Sequence, residues 1–170
     1  MFSKINPGQI VRAHWRSFTD DSTGEISAWE VALHTIVPAV VAGTYVNFAD
    51  GISENAAGIV VSAASIAAGL LLNLLVLIYT LLYNAKSAAD PIRNLDAFRQ
   101  VCDEALATIA YCILLCLILV LSAFCSLAPK SSALSLTGQF GTLYVGTSIV
   151  LCLLIILKRV YALVHFEMVR

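Results

Sequence analysis

The stretch Asn55–Ala85, NAAGIVVSAASIAAGLLLNLLVLIYTLLYNA, decides the fold, because it holds no charged residue over 31 positions. About 20 apolar residues suffice for a helix to cross the hydrocarbon core of a bilayer. Lipid offers no partner for an unpaired backbone amide, so a segment of this kind must be helical. The stretch therefore predicts a transmembrane helix with residues to spare.

Three further stretches lack charge: Val31–Ala49 over 19 residues, Ala105–Pro129 over 25 and Ser131–Leu157 over 27. The apolar part of the last stretch begins near Leu143. The chain is therefore predicted to be an all-α integral membrane protein, one four-helix membrane domain that covers residues 1–170. Its transmembrane helices are expected at about residues 30–48, 57–82, 105–127 and 142–160.

Composition supports a membrane protein. The chain has 170 residues, of which 59% are hydrophobic and 12% charged, and its mean hydropathy is +0.87. Soluble domains carry about 25% charged residues, and a chain of this size cannot hide so much apolar surface from water. An ordinary cytosolic enzyme, a disordered tail and a secreted disulfide scaffold are thereby excluded. The net charge of −1 argues against direct nucleic-acid binding.

The lysines and arginines predict the orientation. Nine of the ten lie before the first span, between the second and third spans, or after the fourth, and only Lys130 lies on the other side. Because cytoplasmic loops carry the excess of Lys and Arg, both termini and the connection 84–104 are expected in the cytoplasm. The predicted location is the cell inner membrane, with the loops Asp50–Ala56 and Pro129–Gly141 facing outward.

The arm at residues 1–29 begins with Asn6-Pro7, a typical helix start. One face of the predicted helix carries Ile10, Val11, His14, Trp15 and Phe18. The pattern favours an amphipathic helix at the level of the lipid headgroups, and the alternative is a docking helix for a partner protein. We expect the arm to be anchored at the membrane interface by Trp15, Phe18 and Trp29.

The cytoplasmic connection contains a second helix start, Asp90-Pro91. Apolar residues at spacings of three and four predict one long helix from Pro91 to Leu127, whose first part projects from the membrane as a stalk. The alternative is a helix lying flat on the membrane surface. The residues expected to dock a cytoplasmic protein partner are Ile92, Arg93, Leu95, Phe98 and Arg99.

A stripe of small and polar residues marks the second span. Its members step by four, three, four and four positions along the helix: Gly58, Ser62, Ser65, Gly69 and Asn73. Small residues let helices approach closely in lipid, and hydroxyls and amides bond across them. We expect the stripe to pack helices or assemble a homo-oligomer, and its alternative is the lining of a pore.

Catalytic and cofactor sites are not indicated. The chain shows no catalytic triad, phosphate loop or metal-ligand cluster, and no charged residue lies within a predicted membrane core. Glu30 and His34 are four apart, but Glu30 fits a capping box with Ser27. Asp103 and Glu104 are expected to be solvated. The prediction is a protein that is not an enzyme and holds no cofactor.

An arm with Trp15-Arg16-Ser17-Phe18, four spans and an inner helical extension at Asp90–Glu104 resembles the membrane subunit of Kiwa-type bacterial anti-phage defence. The likeness is one of architecture over the whole chain, so no site residue is carried over. It implies a tetramer in the inner membrane that senses phage-induced disturbance of the envelope and acts through a cytoplasmic DNA-binding partner. From the residues themselves, we expect an oligomeric anchor or sensor subunit, and the alternative is a small channel or pore-forming effector.

Overall fold

The computed structural model of the chain describes residues 7–16, 28–48, 51–87, 95–129 and 133–168. These residues form five helices: α1 Pro7–Arg16, α2 Ala28–Phe48, α3 Glu54–Ser87, α4 Leu95–Ser126 and α5 Ala133–Met168. Four of them are long and apolar enough to cross a membrane, over Val31–Phe48, Glu54–Asn84, Phe98–Ser126 and Ala133–Leu163. The all-α class and the four candidate membrane-spanning helices are therefore confirmed.

The helices form an open row. α5 packs against α4, α3 packs on the other side of α4, α2 packs on α5, and α1 packs on α4. Within the described residues, α2 and α3 share no packed interface, so the order across the row is α2, α5, α4, α3. Only 11% of the spans in the two outer helices are buried, against 39% in α4 and 33% in α5. The outer helices therefore leave most of their surface uncovered.

The two inner helices pack with the spacing of a coiled coil. Buried residues on α4 alternate between steps of three and four at positions 102, 105, 109, 112, 116, 119 and 123. The buried positions 142, 145, 149, 152 and 156 on α5 follow the same rule. This spacing keeps one seam of each helix facing the other. Many of the inward residues are Ala, Cys, Ser or Thr, which lets the helices approach closely.

The closest approach lies where α4 ends and α5 begins. A Cβ added to Gly138 would overlap the backbone of Cys125 and Ser126, so only glycine fits at this position. The hydroxyl of Ser135 donates to the carbonyl of Ser126 at 3.3 Å, and the hydroxyl of Thr142 donates to the carbonyl of Gly138 at 2.8 Å. Small polar side chains are therefore bonded within the helix pair rather than to water.

This contact explains why α5 starts at Ala133, although its apolar part was predicted to begin near Leu143. The segment 133–141 was expected to lie in an outward loop, and that expectation is wrong. The prediction missed this part of the helix because Ser135, Thr137 and Gln139 interrupt its apolar residues. The helix is stabilised there by its contact with α4.

The other ends of the helices lie near their expected positions. α4 is helical from Leu95, and the predicted start at Pro91 lies outside the described residues. α5 continues to Met168, beyond the end of the fourth predicted span at about residue 160. α2 is one continuous helix through Pro38, which is buried. We call the end of the row where α2 begins and α5 finishes the α1 end.

Replacing Gly138 by Ala should push α4 and α5 apart locally and destabilise their contact, because the added methyl group overlaps backbone rather than a flexible side chain. Overpacking of this kind costs about 1–3 kcal/mol, which unfolding of the purified protein in mixed micelles would measure. Gly43→Ala is the matched control, since a Cβ at Gly43 meets nothing within 4 Å. Equal stability of the two variants would contradict the close approach.

Candidate functional site

The five stripe residues of α3 lie on its outer surface. Gly58, Ser62, Ser65, Gly69 and Asn73 are all exposed. A Cβ added at either glycine meets nothing within 4 Å. The face that α3 turns toward the row is formed instead by Ala64, Leu71, Ile78 and Leu82. The stripe therefore takes no part in packing within the described chain, and its role between copies stays a prediction.

The polar groups of the stripe differ in how they are bonded. The hydroxyl of Ser62 donates to the carbonyl of Gly58, and that of Ser65 donates to the carbonyl of Val61, both at 2.9 Å. Such bonds within one helix make a hydroxyl acceptable in lipid. For the side-chain amide of Asn73, the described residues provide no hydrogen bond. An amide left without a partner in hydrocarbon costs several kcal/mol, which favours a partner outside this chain.

The predicted docking residues have different surroundings. Ile92 and Arg93 lie outside the described residues, and Leu95 is the first residue of α4. Phe98 is buried in the core, so its side chain is used for packing within the chain. Arg99 is partly exposed. Within the described part of the chain, docking of a partner would therefore depend on Arg99 rather than on Phe98.

The predicted interface anchors are also separated. Trp29 is 75% exposed at the start of α2, whereas Trp15 is partly buried on α1. Phe18 lies outside the described residues. An exposed indole at the start of a membrane-spanning helix is in the position that tryptophan favours at the lipid headgroups.

His14 fixes α1 to the row. Its imidazole is 1% exposed and stacks on the ring of Tyr111, with centroids 4.1 Å apart and planes 13° apart. The ring of His34 on α2 lies 6.3 Å away. The sequence predicted His14 on the apolar face of an interfacial helix, and the structure places its ring on Tyr111 of α4 and near His34 of α2. A histidine at the centre of an apolar face is the only signal that could have indicated this contact.

The environment of His14 holds it neutral. Burial, together with the neighbouring His34 and Arg159, lowers the pKa of His14 from its ordinary 6.5 to about 3. Desolvation and nearby positive charge both disfavour an imidazolium. The docked form of α1 therefore contains an uncharged His14 at physiological pH.

Arg159 of α5 reaches across to α4. Its guanidinium donates to the carbonyl of Glu104 at 2.7 Å and to the hydroxyl of Thr108, and it lies 3.4 Å from the carboxylate of Glu104. The side chain of Arg159 is only 12% exposed. Glu104 was expected to be solvated; its side chain is 31% exposed, and its carboxylate accepts from Gln100 as well as facing Arg159. Glu104 directly precedes the uncharged stretch of α4, and Arg159 follows the uncharged stretch of α5. Because the two helices are antiparallel, both charges lie at the same end of the helix pair.

A weaker polar contact joins α2 to α5. The Nε2 atom of His34 lies 3.9 Å from the Sγ atom of Cys152. Within the described ranges, no group of three or more His, Cys, Asp or Glu side chains is placed to hold a metal ion. We call the set formed by His14, His34, Tyr111, Cys152, Arg159, Glu104 and Thr108 the polar cluster. It lies toward the α1 end and links α1, α2, α4 and α5.

Two open grooves run beside α5, of about 340 Å³ and about 420 Å³. The first lies between α3 and α5. Its lining is aliphatic and comes from residues 67–74 of α3 and 153–160 of α5. The second is bounded by α2, α3 and α5, with Thr142 and Thr147 in its wall. Within the described residues α3 packs on neither α5 nor α2, which leaves this space open beside α5.

Comparisons with protein-family models, curated proteins and solved structures found no match for this chain. The assignment of its sites therefore depends on the geometry of its own side chains. Two features stand out on that basis: the exposed stripe of α3 and the polar cluster beneath α1.

Replacing Glu104 by Ala should destabilise the contact between α4 and α5. The change removes the carboxylate that lies 3.4 Å from the guanidinium of Arg159, whose side chain is largely buried. Loss of a hydrogen-bonded charged partner costs about 1.5–3 kcal/mol, which unfolding in mixed micelles would measure. The control is Asp103→Ala at an exposed neighbouring position, for which we expect a change within about 0.5 kcal/mol. A loss at Glu104 no larger than at Asp103 would refute the ion pair.

Proposed function

We propose that this protein is an oligomeric subunit of the cell inner membrane that acts as an anchor or sensor and engages a cytoplasmic protein partner. The observation that carries the proposal is the exposed stripe on α3, where two glycines leave the backbone bare. An open row of helices with an uncovered polar stripe is suited to binding another copy in lipid. The resemblance to Kiwa-type defence would place this function in the response to phage.

The dimensions of the stripe suit a helix contact between subunits. From Gly58 to Asn73 it extends over about 22 Å at 1.5 Å per residue. Gly58 and Gly69 would let a second helix approach the backbone closely, and Asn73 would find its missing partner on that helix. A polar contact across membrane helices contributes about 0.6–2 kcal/mol. Subunit contacts of this kind do not require a large apolar surface.

Engagement of a partner is supported by the features of the α1 end. With both termini in the cytoplasm, as the Lys and Arg distribution predicts, Leu95–Glu104 of α4 and the last turns of α5 would extend beyond the bilayer. Arg99 is partly exposed on this part of α4. A short helical platform with a basic side chain is suited to docking a cytoplasmic protein.

To test the assembly, Gly69 is replaced by Leu and the purified protein is weighed by native mass spectrometry in mild detergent. We expect the oligomer to dissociate, because the new side chain blocks close helix approach at a position where a Cβ meets nothing within 4 Å in its own chain. Gly43→Leu on α2 is the matched control, since its position is equally empty in the single chain. An unchanged oligomer in Gly69→Leu, or equal dissociation of both variants, would contradict assembly through α3.

A channel is the second candidate, and the same polar stripe favours it. A ring of α3 helices would turn Ser62, Ser65 and Asn73 toward a shared axis. Flux of a monovalent cation from liposomes that contain the protein separates the two functions. We expect no flux above that of protein-free liposomes for an anchor or sensor. A flux that Asn73→Leu abolishes would instead establish the channel.

A further inference from the structure

The most deeply buried of the described side chains of α1 is titratable. Among the side chains of α1 that the structure describes, His14 is the one that is buried, and Ile10, Val11 and Trp15 are only partly covered. The packed interface of α1 is with α4, where the imidazole of His14 lies flat on the ring of Tyr111 at 4.1 Å. A helix of ten residues is too short to hold its structure alone in water. Loss of the contact made by His14 would therefore release and unfold α1.

The groups around His14 include positive or neutral side chains from each neighbouring helix. α2 presents His34 and α4 presents Tyr111, while the charge of Arg159 on α5 is near enough to act on His14. The carboxylate of Glu104 on α4 is already paired with Arg159. On its own helix, Trp15 lies edge-on to His14, with ring centroids 6.3 Å apart. A second positive charge in this place would face the guanidinium of Arg159 within a largely desolvated cluster.

We propose that α1 is a proton-released arm, in which protonation of His14 detaches α1 from α4 and uncovers the face of α4 around Tyr111. The proton comes from water and is taken up by the imidazole when α1 is off the row. The docked form excludes this proton because the imidazole is buried and stacked. Acid therefore favours the released form without any other ligand.

The direction of the pH dependence follows from the two states of His14. Its pKa is about 3 when docked and 6.5 in its ordinary environment. Because the docked pKa is the lower one, docking is strongest above pH 6.5 and weakens as the pH falls from there toward 3. Between pH 7.5 and pH 5.5 the docking equilibrium should weaken by about tenfold.

This inference deepens the proposed sensor function and rests on it for its biological meaning. With α1 on the cytoplasmic side, the signal would be acidification of the cytoplasm next to a damaged membrane. Release of α1 would then change the surface that the α1 end offers to a partner. The physical switch itself depends on the buried position of His14 on Tyr111 and does not require the proposed oligomer.

Hydrogen exchange of the full-length protein in detergent micelles tests the switch. Labelling at pH 7.5 and pH 5.5, with times scaled for the intrinsic exchange rate, gives the opening equilibrium of α1 at each pH. We expect the protection of amides 10–15 in the wild-type protein to fall by about tenfold, and amides 145–156 of α5 to keep theirs. Constant protection of α1 in the wild-type protein would overturn the proposal.

Two variants identify the titrating group. His14→Phe keeps a ring for stacking on Tyr111 but cannot be protonated, so its α1 protection should be the same at both pH values. His34→Gln removes the neighbouring imidazole and should keep the tenfold fall of the wild-type protein. A fall in His14→Phe as large as in the wild-type protein, or its disappearance in His34→Gln, would show that His14 is not the switch.

The oligomer and the switch can fail separately. Native mass spectrometry of the same samples reports the number of subunits, whereas exchange reports the position of α1. Gly69→Leu should change the mass of the assembly and keep the pH response of α1. An unchanged mass together with a normal pH response would remove the proposed assembly and leave the proton-released arm in place.

Discussion

The antiparallel contact between α4 and α5 is the interaction on which the rest of the structure depends. Both helices turn a seam of small and aliphatic residues toward each other at alternating steps of three and four. Each also carries one outer helix, α3 on α4 and α2 on α5. In lipid no hydrophobic effect drives helices together, so close van der Waals contact and polar bonds must do so. Gly138 permits the close van der Waals contact at one end of the seam. The ion pair of Arg159 and Glu104 provides a polar contact at the other end.

Because the row of helices is open, the inward and outward faces of α3 carry different residues. α3 meets its neighbour through a narrow seam that contains Ala64 and Leu71, so most of its circumference faces outward. The stripe residues of α3 lie on that outward side, where they make no packing contact with the other helices of the described chain. The mean hydropathy of an apolar helix is the same whichever face carries Gly69 and Asn73. Their collection on one uncovered face is what makes assembly through α3 the preferred proposal.

The sequence predicts the number and the approximate limits of the long helices. A stretch of 18 or more residues without a charged side chain is long enough to cross a bilayer as a helix. The sequence does not predict which neighbour a helix face meets. The stripe of α3 has the composition of a packing surface, yet Ala64 and Leu71 make the contact with α4. The beginning of α5 was missed for a related reason, since Ser135 and Gly138 are stabilised by α4 rather than by lipid. Contacts between residues far apart in the chain leave no local pattern.

The polar cluster shows two solutions to the burial of a basic side chain. Arg159 cannot lose its proton in a protein, so its charge is balanced by the carboxylate of Glu104 and by oxygen atoms of the same turn of α4. His14 can lose its proton, and it is buried as a neutral ring against Tyr111. In the first solution the guanidinium stays charged. The second exists only while the imidazole is neutral, so the contact that positions α1 is also the one that protons can break.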